Sequence, residues 1–63
     1  MFNVNYDKAA AERLALTIGE GFLEQPLKLD NSDFVVAPDD DDRVLGLDSI
    51  QVNGRFFKVG LMK

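Results

Sequence analysis

The first six residues, MFNVNY, alternate between apolar and polar side chains. Phe2, Val4 and Tyr6 would lie on one face of an extended chain, and the asparagines between them would lie on the other. A period of two is typical of a strand that is buried on one face only. The pattern therefore predicts a strand at the start of the chain.

The next segment has the periodicity of an amphipathic helix. Its alanine and leucine residues favour helix formation. Its apolar positions recur three or four residues apart, in a stripe of Ala11, Leu14, Ala15, Ile18 and Phe22. Asp7 can cap the helix by accepting a free amide of the first turn. We expect a helix over residues 7–18 that ends with Gly19 in the left-handed conformation. Alternatively, the helix continues to about Leu23, and Pro26 prevents it from going much further.

Two short apolar runs, PLKL and DFVVA, flank Asp30, Asn31 and Ser32. The side chains of Asp, Asn and Ser accept hydrogen bonds from nearby backbone amides, which favours a turn. The pattern predicts a hairpin. Pro38 and the aspartates after it end the second strand, because proline cannot donate to a ladder and aspartate is depleted in strands.

The clearest turn signal is Asn53-Gly54, between the runs DSIQV and RFFKVGLM. Both central residues of a type I′ turn need positive φ, which Asn and Gly tolerate best. A two-residue loop sets Val52 opposite Arg55 and fixes the register back to Asp48. One face of the hairpin then carries the predicted core positions, which are Ile50, Val52, Phe57 and Val59.

Phe56 falls on the opposite face of this hairpin, beside Gln51, Ser49 and Lys58. Two interpretations are open. We favour packing of the ring under the helix or against Leu47, on a second buried face. In the alternative, Phe56 is an exposed apolar anchor, since the residues that dominate interfaces are often aromatic.

These elements predict a single α+β domain over residues 1–63. Its sheet would have four to five strands, mainly antiparallel, with one N-terminal helix packed on one face. The chain has no internal repeat and no linker long enough to divide it.

The composition removes the usual means of catalysis and metal binding. The chain has no cysteine and no histidine, hence no thiolate or imidazole ligand. Paired carboxylates can hydrolyse glycosides, but a chain this small rarely encloses a pocket. We therefore expect neither an enzyme nor a bound metal or cofactor. The run of four aspartates offers hard oxygen ligands, so weak cation binding and a cation-dependent fold stay open as alternatives.

Charge is concentrated in the middle of the chain. Residues 30–48 carry seven aspartates and one arginine, a net charge of −6, whereas the remaining residues carry a net charge of +2. An acidic surface repels nucleic acid and anionic membranes and attracts basic partners. No apolar run approaches the ~20 residues needed to cross a bilayer, and the N-terminus lacks the pattern of a secretory signal. We expect a cytoplasmic protein.

The stretch APDDDDRVLG, residues 37–46, contains the four consecutive aspartates. An extended chain advances ~3.3 Å per residue, and one DNA strand carries a charge every ~3.4 Å. The run can therefore present carboxylates at the density of phosphates. In the plain alternative, it is a solvated loop that only keeps the protein soluble. The predicted partner-binding residues are Asp30, Asp33, Asp39, Asp40, Asp41, Asp42 and Asp48, with Phe56 beside them.

The chain resembles the small acidic inhibitors made by bacterial viruses, including many anti-CRISPR proteins. The resemblance is carried by its size, by the acidic cluster from Asp30 to Asp48 with DDDD at residues 39–42, and by the lack of cysteine and histidine. It covers the general style of the chain and no aligned motif. Several such inhibitors mimic DNA. The resemblance implies a location in the host bacterial cytoplasm and binding to a CRISPR surveillance complex or nuclease where that complex would grip target DNA.

We therefore predict a non-enzymatic inhibitor, monomeric, whose acidic surface occupies the nucleic-acid-binding site of a larger basic protein or complex. Lys8, Arg13 and Lys58 fit this hypothesis only if they lie on another face. The alternative is a small structural or assembly subunit that pairs an edge strand with its neighbour. In that case the aspartates only keep the protein soluble.

Overall fold

The structure, a computed structural model, describes residues 5–21, 26–30 and 32–63. Along these residues it has one helix and four strands, which are α1 (Lys8–Gly19), β1 (Leu27–Lys28), β2 (Val35–Pro38), β3 (Val44–Val52) and β4 (Arg55–Met62). The strands form one antiparallel sheet in the order β1-β2-β4-β3, and α1 packs against one face of it. The predicted α+β class is confirmed. The predicted first strand falls on residues 1–4, outside the described residues, and on Asn5 and Tyr6, which are not in a strand.

Helix α1 begins where the sequence predicts. The Asp7 side chain accepts a hydrogen bond from the Ala10 amide at 3.2 Å, so Asp7 is the N-cap. The helix ends at Gly19 and does not continue further. The left-handed residue is Gly21, with a φ of 77°, and the prediction that Gly19 takes this conformation is wrong. Gly19 still belongs to the helix, and the left-handed residue comes two positions later, where the Gly21 amide donates to the Ile18 carbonyl at 2.9 Å.

The predicted hairpin between the runs PLKL and DFVVA is confirmed. Its two strands, β1 and β2, pair antiparallel. Ser32 stabilises the turn, because its hydroxyl oxygen accepts the Phe34 amide at 3.0 Å. Strand β2 ends at Pro38, immediately before the aspartate run, as the sequence predicts.

The β3–β4 hairpin has the predicted register. Val52 pairs with Arg55, and the predicted pairs continue without a slip to Asp48. Asn53 and Gly54 have φ angles of 53° and 76°, as a type I′ turn requires. The turn chemistry therefore decides which residues of the hairpin face the helix.

The main core lies between α1 and one face of the sheet. Its buried side chains are Ala11, Ala15, Ile18, Leu29, Val36, Ile50, Phe57 and Val59. Leu14 and Val52 pack against them as half-buried neighbours. The predicted core face of the hairpin is confirmed, and so is the helical stripe except for Phe22, which lies outside the described residues.

A second, smaller cluster lies on the opposite face of the sheet and consists of Val35, Ala37 and Val44. Val44, at the start of β3, lies on this face because the pairing of β3 with β4 shifts register at a β-bulge between Gly46 and Asp48. The bulge also bends the strand. Gly60 of β4 lies against this bend, because a Cβ at Gly60 would collide with the backbone carbonyl of Leu45. The lack of a side chain at Gly60 is thus what allows β3 to approach β4 so closely.

Candidate functional site: the acidic loop

The four aspartates lie in the connection between β2 and β3, residues 39–43, which we call the acidic loop. Two consecutive turns build it. The Asp41 amide donates to the Pro38 carbonyl at 3.0 Å, and the Val44 amide donates to the Asp41 carbonyl at a longer 3.5 Å. Asp41 is the residue that both turns share. The corners of the two turns are exposed and carry Asp39, Asp40 and Asp42.

Asp41 is engaged within the loop itself. Arg43 donates from Nε and Nη2 to the two carboxylate oxygens of Asp41 at 3.1 and 2.8 Å, and its amide donates to Oδ1 at 2.9 Å. This is the one ion pair among the described residues. The side-chain hydrogen bond from Arg43, and then its amide, lower the pKa of Asp41 to about 2. Asp41 therefore braces the second turn. The sequence signal for this role is the arginine two residues after Asp41.

Asp41→Asn is expected to lower the free energy of unfolding at neutral pH. Asparagine can still accept the Arg43 amide but cannot form the ion pair. The pKa of Asp41 is lower in the folded state than in the unfolded chain. The stability that the ionised carboxylate contributes is therefore complete above a pH equal to the unfolded pKa of 3.8, and it is lost as the pH falls through about 2. The stability difference between variant and wild type, measured by urea unfolding, should therefore shrink over that range. Asp40→Asn removes the same charge without an ion pair and is the control. A difference that stays constant with pH would contradict this role of Asp41.

Asp48 is also engaged within the molecule. The Tyr6 hydroxyl donates to its Oδ2 at 2.5 Å, and the Ser49 amide donates to its Oδ1 at 2.8 Å. The Tyr6 bond, and then the Ser49 bond, lower the pKa of Asp48. Burial of Tyr6, and next its hydrogen bond to Asp48, raise the pKa of Tyr6 to about 12. The run DSIQV would place Asp48 at the start of a strand, and the structure corrects this. Asp48 lies in the middle of β3, because the strand begins at Val44, and it connects the segment before α1 to the edge of the sheet.

Tyr6→Phe and Asp48→Asn are each expected to lower the free energy of unfolding by at most about 1 kcal/mol, the net contribution of a typical hydrogen bond. The double variant should lose less than the sum of the two, because both substitutions remove the same contact. Urea unfolding of the three variants measures this coupling. Strictly additive losses would mean that the contact between Tyr6 and Asp48 contributes nothing to stability.

Asp30 and Asp33 lie apart from the acidic loop, and both are exposed. They belong to the turn that precedes β2, whereas Asp39 follows the last residue of that strand. Asp30 shares a depression of about 100 Å³ with Arg13 and Lys28, so basic neighbours offset part of its charge. The seven predicted aspartates therefore do not form one continuous acidic rim.

Phe56 is 56% exposed, so the favoured prediction that its ring packs under the helix or against Leu47 is wrong. Neighbouring residues of a strand point to opposite faces, and Phe57 already points into the core under α1. On the other face, the described residues form only the small second cluster, toward the far end of β4. The Asp39 amide donates to the Phe56 carbonyl at 3.3 Å. The first aspartate of the run therefore lies beside an exposed aromatic residue.

A shallow groove of about 380 Å³ begins beside the acidic loop. Its lining consists of Asp39, Gly46, Leu47, Asp48, Ser49 and Lys58. Lys58 lies close enough to the loop that, after Arg43, its charge helps to lower the pKa of Asp41. The fold thus brings Asp39 and Asp48 to one groove and places a lysine in it as well. The hypothesis from the sequence fits Lys58 only if it lies on another face, and for this lysine that condition is not met.

The arrangement can offer charge and hydrogen-bond acceptors to a cationic group, as ionised carboxylates on a surface do. Within the described ranges, no group of three or more acidic side chains could hold a metal ion. No helix in that part of the chain is long and apolar enough to cross a membrane.

The site comprises three exposed carboxylates at turn corners and an exposed ring beside the first of them. Comparisons with protein-family models, with curated proteins and with solved structures find no match for this chain.

Proposed function

We propose that the protein is a non-enzymatic inhibitor whose acidic loop occupies the nucleic-acid-binding site of a larger basic protein. One observation carries this proposal. Asp39, Asp40 and Asp42 are exposed, and none of their side chains forms a hydrogen bond or an ion pair with a described residue. These three carboxylates are available to a partner, whereas Asp41 and Asp48 are engaged within the molecule.

The acidic loop fixes the backbone that carries these carboxylates before a partner binds. Two backbone hydrogen bonds define its turns, and the Asp41–Arg43 ion pair braces the second turn. A prearranged surface loses less conformational entropy on binding than a flexible one. Like charges at ~4 Å repel by about 1 kcal/mol per pair in water, and a cationic groove on the partner would relieve that repulsion.

The density of exposed carboxylates, three within residues 39–42, supports a nucleic-acid-binding site as the target. Consecutive Cα atoms are about 3.8 Å apart, and a DNA strand carries one charge per ~3.4 Å. A protein that grips phosphates through arginine and lysine would meet a similar density of negative charge at the acidic loop. The resemblance to phage-encoded inhibitors makes a CRISPR effector in the bacterial cytoplasm the first partner to test.

A pull-down from bacterial lysate tests the proposal, with wild type and Asp40→Asn/Asp42→Asn as baits and mass spectrometry as the readout. We expect the wild type to retain a nucleic-acid-binding protein at low salt. It should release that protein at high salt, because the screening length falls from ~10 Å at 0.1 M to ~3 Å at 1 M. Equal capture by both baits would contradict the proposal.

Among the described residues no strand pairs with the outer edge of β3, which favours a second candidate, a structural or assembly subunit. β3 has nine residues and is the last strand of the sheet, and Leu45 on it is 50% exposed. Such an edge can pair with a strand of a neighbour. The bulge beside Gly46, and the bond from the Ser49 amide to Asp48, disrupt this edge in part.

Light scattering over a concentration series separates the two candidates. Self-association that is insensitive to salt would support the assembly subunit, because edge pairing rests on backbone hydrogen bonds and apolar contacts. A monomer at every concentration would support the inhibitor.

A further inference from the structure

Phe56 is the most exposed of the large apolar side chains among the described residues. It lies on β4, which is paired on both sides, with β2 and with β3. The ring therefore stands on the sheet surface, away from α1, and more than half of it is in contact with water. Aromatic side chains in such positions are frequent among the residues that dominate binding interfaces.

The surroundings of Phe56 are polar. Gln51 is its cross-strand partner, and Lys58 follows it on the same face. On the side of β2, Asp39 is held next to it by the backbone hydrogen bond of 3.3 Å. A purely apolar occupant would have to desolvate these groups without pairing them. A flat, positively charged occupant could instead use both the ring and the carboxylate.

We propose that Phe56 and Asp39 together receive an arginine side chain of the partner, an inference that rests on the inhibitor function proposed above. The guanidinium plane stacks on the ring of Phe56, and its N–H groups donate to the carboxylate of Asp39. Arginine suits both contacts because its charge is planar, delocalised and weakly hydrated, whereas the lysine ammonium is a strongly hydrated point charge.

Each of these contacts occurs separately within the chain. The guanidinium carbon of Arg55 lies 5.3 Å from the ring centroid of Phe57. Arg43 donates to both carboxylate oxygens of Asp41. Both arginines are therefore engaged elsewhere.

The neighbouring Lys58 lines the same groove as Asp39 but forms no ion pair with it. The Cδ atom of Lys58 lies 3.1 Å from where a Cβ of Gly46 would be, so its stem leans over β3, whereas Asp39 follows β2. The ring of Phe56 and the carboxylate of Asp39 are left to a cation from outside the molecule.

Titration of the full chain with hexa-arginine and hexa-lysine peptides, followed by NMR, tests this site. We expect the wild type to bind the arginine peptide about fivefold more tightly than the lysine peptide, the size of a cation–π contribution at an exposed site. Phe56→Leu keeps an apolar side chain without the ring and should lose the preference, whereas Phe56→Tyr should keep it. Leu16→Ala, at an exposed apolar position of α1, should change neither affinity.

Equal affinity of the wild type for the two peptides, or an unchanged preference in Phe56→Leu, would overturn the arginine site. The Asp40→Asn/Asp42→Asn variant distinguishes this failure from that of the inhibitor function. If it weakens the binding of both peptides while the wild type shows no preference, the inhibitor function stands and only the arginine site fails. If the wild type binds neither peptide, both proposals fail.

Discussion

Gly60→Ala is expected to lower the free energy of unfolding by about 3 kcal/mol, at the upper end of the usual cost of overpacking. Gly60 is buried in β4, between Val35 of β2 and Gly46 of β3. An added Cβ would collide with the backbone carbonyl of Leu45, which cannot rotate away as the end of a side chain can. A core of this size rarely supplies more than about 3 to 5 kcal/mol of stability, so the variant keeps at most about 2 kcal/mol and up to about half of it should be unfolded at room temperature.

The same substitution at Gly19 is the matched control. Apart from its chain neighbours and the backbone of its own helix, no atom of the described residues lies within 4 Å of the Cβ position at Gly19, the last residue of α1. Alanine there should raise the free energy of unfolding by about 0.5 to 1 kcal/mol. Thermal melting by circular dichroism and urea unfolding measure both variants. If Gly60→Ala were as stable as the wild type, β3 could not approach β4 as closely as described.

Asp40→Asn/Asp42→Asn is expected to weaken binding to the captured partner by about tenfold. Each exposed charge contact contributes about 1 kcal/mol or less, and about 1.4 kcal/mol corresponds to tenfold. The variant should be at least as stable as the wild type, because two repelling charges are removed and no described contact is lost. Calorimetric titration at several salt concentrations measures the loss, which should diminish as salt rises.

Glu12→Gln/Glu20→Gln is the control for net charge. It removes the same number of negative charges from the helix segment, at a distance along the chain from the acidic loop. Binding by this variant should stay within about twofold of the wild type, because neither glutamate belongs to the acidic loop and salt screens charges that do not contact the partner. Equal losses in the two variants would mean that binding depends on net charge and not on the acidic loop.

The β3–β4 hairpin is predictable residue by residue because its signal is local. Asn53 and Gly54 allow one turn type, the turn fixes the register, and the register places Ile50 and Phe57 on the core face. The start of α1 is local in the same way, since the cap formed by Asp7 requires only the next turn of the helix.

The strand order and the bend of β3 are not predictable in this way, because they depend on residues that are distant along the chain. β2 pairs with β4, although β3 follows it directly in the sequence. A glycine inside a strand indicates a bulge or a close backbone approach. That signal is present at Gly46 and Gly60, but it does not say which strand comes close.

In the candidate site, the composition predicts how much negative charge the segment carries. It does not predict which aspartates are bonded within the molecule and which are exposed. The Asp41–Arg43 ion pair has a short-range signal, which is missed when the four aspartates are treated as equivalent. The contact between Tyr6 and Asp48 joins residues 42 positions apart and has no such signal. The predicted register already places Phe56 on the face of the sheet opposite the core. The prediction that its ring is buried is wrong because it assumes that another part of the chain covers this second face.

A competition measurement tests most directly whether the acidic loop takes the place of nucleic acid. A fluorescently labelled DNA duplex is bound to the captured partner, the protein is added in increasing amounts, and fluorescence anisotropy reports the bound duplex. The account predicts that the wild type displaces the duplex and that Asp40→Asn/Asp42→Asn does not do so at the same concentration. A ternary complex, in which the protein binds while the duplex stays in place, would contradict it.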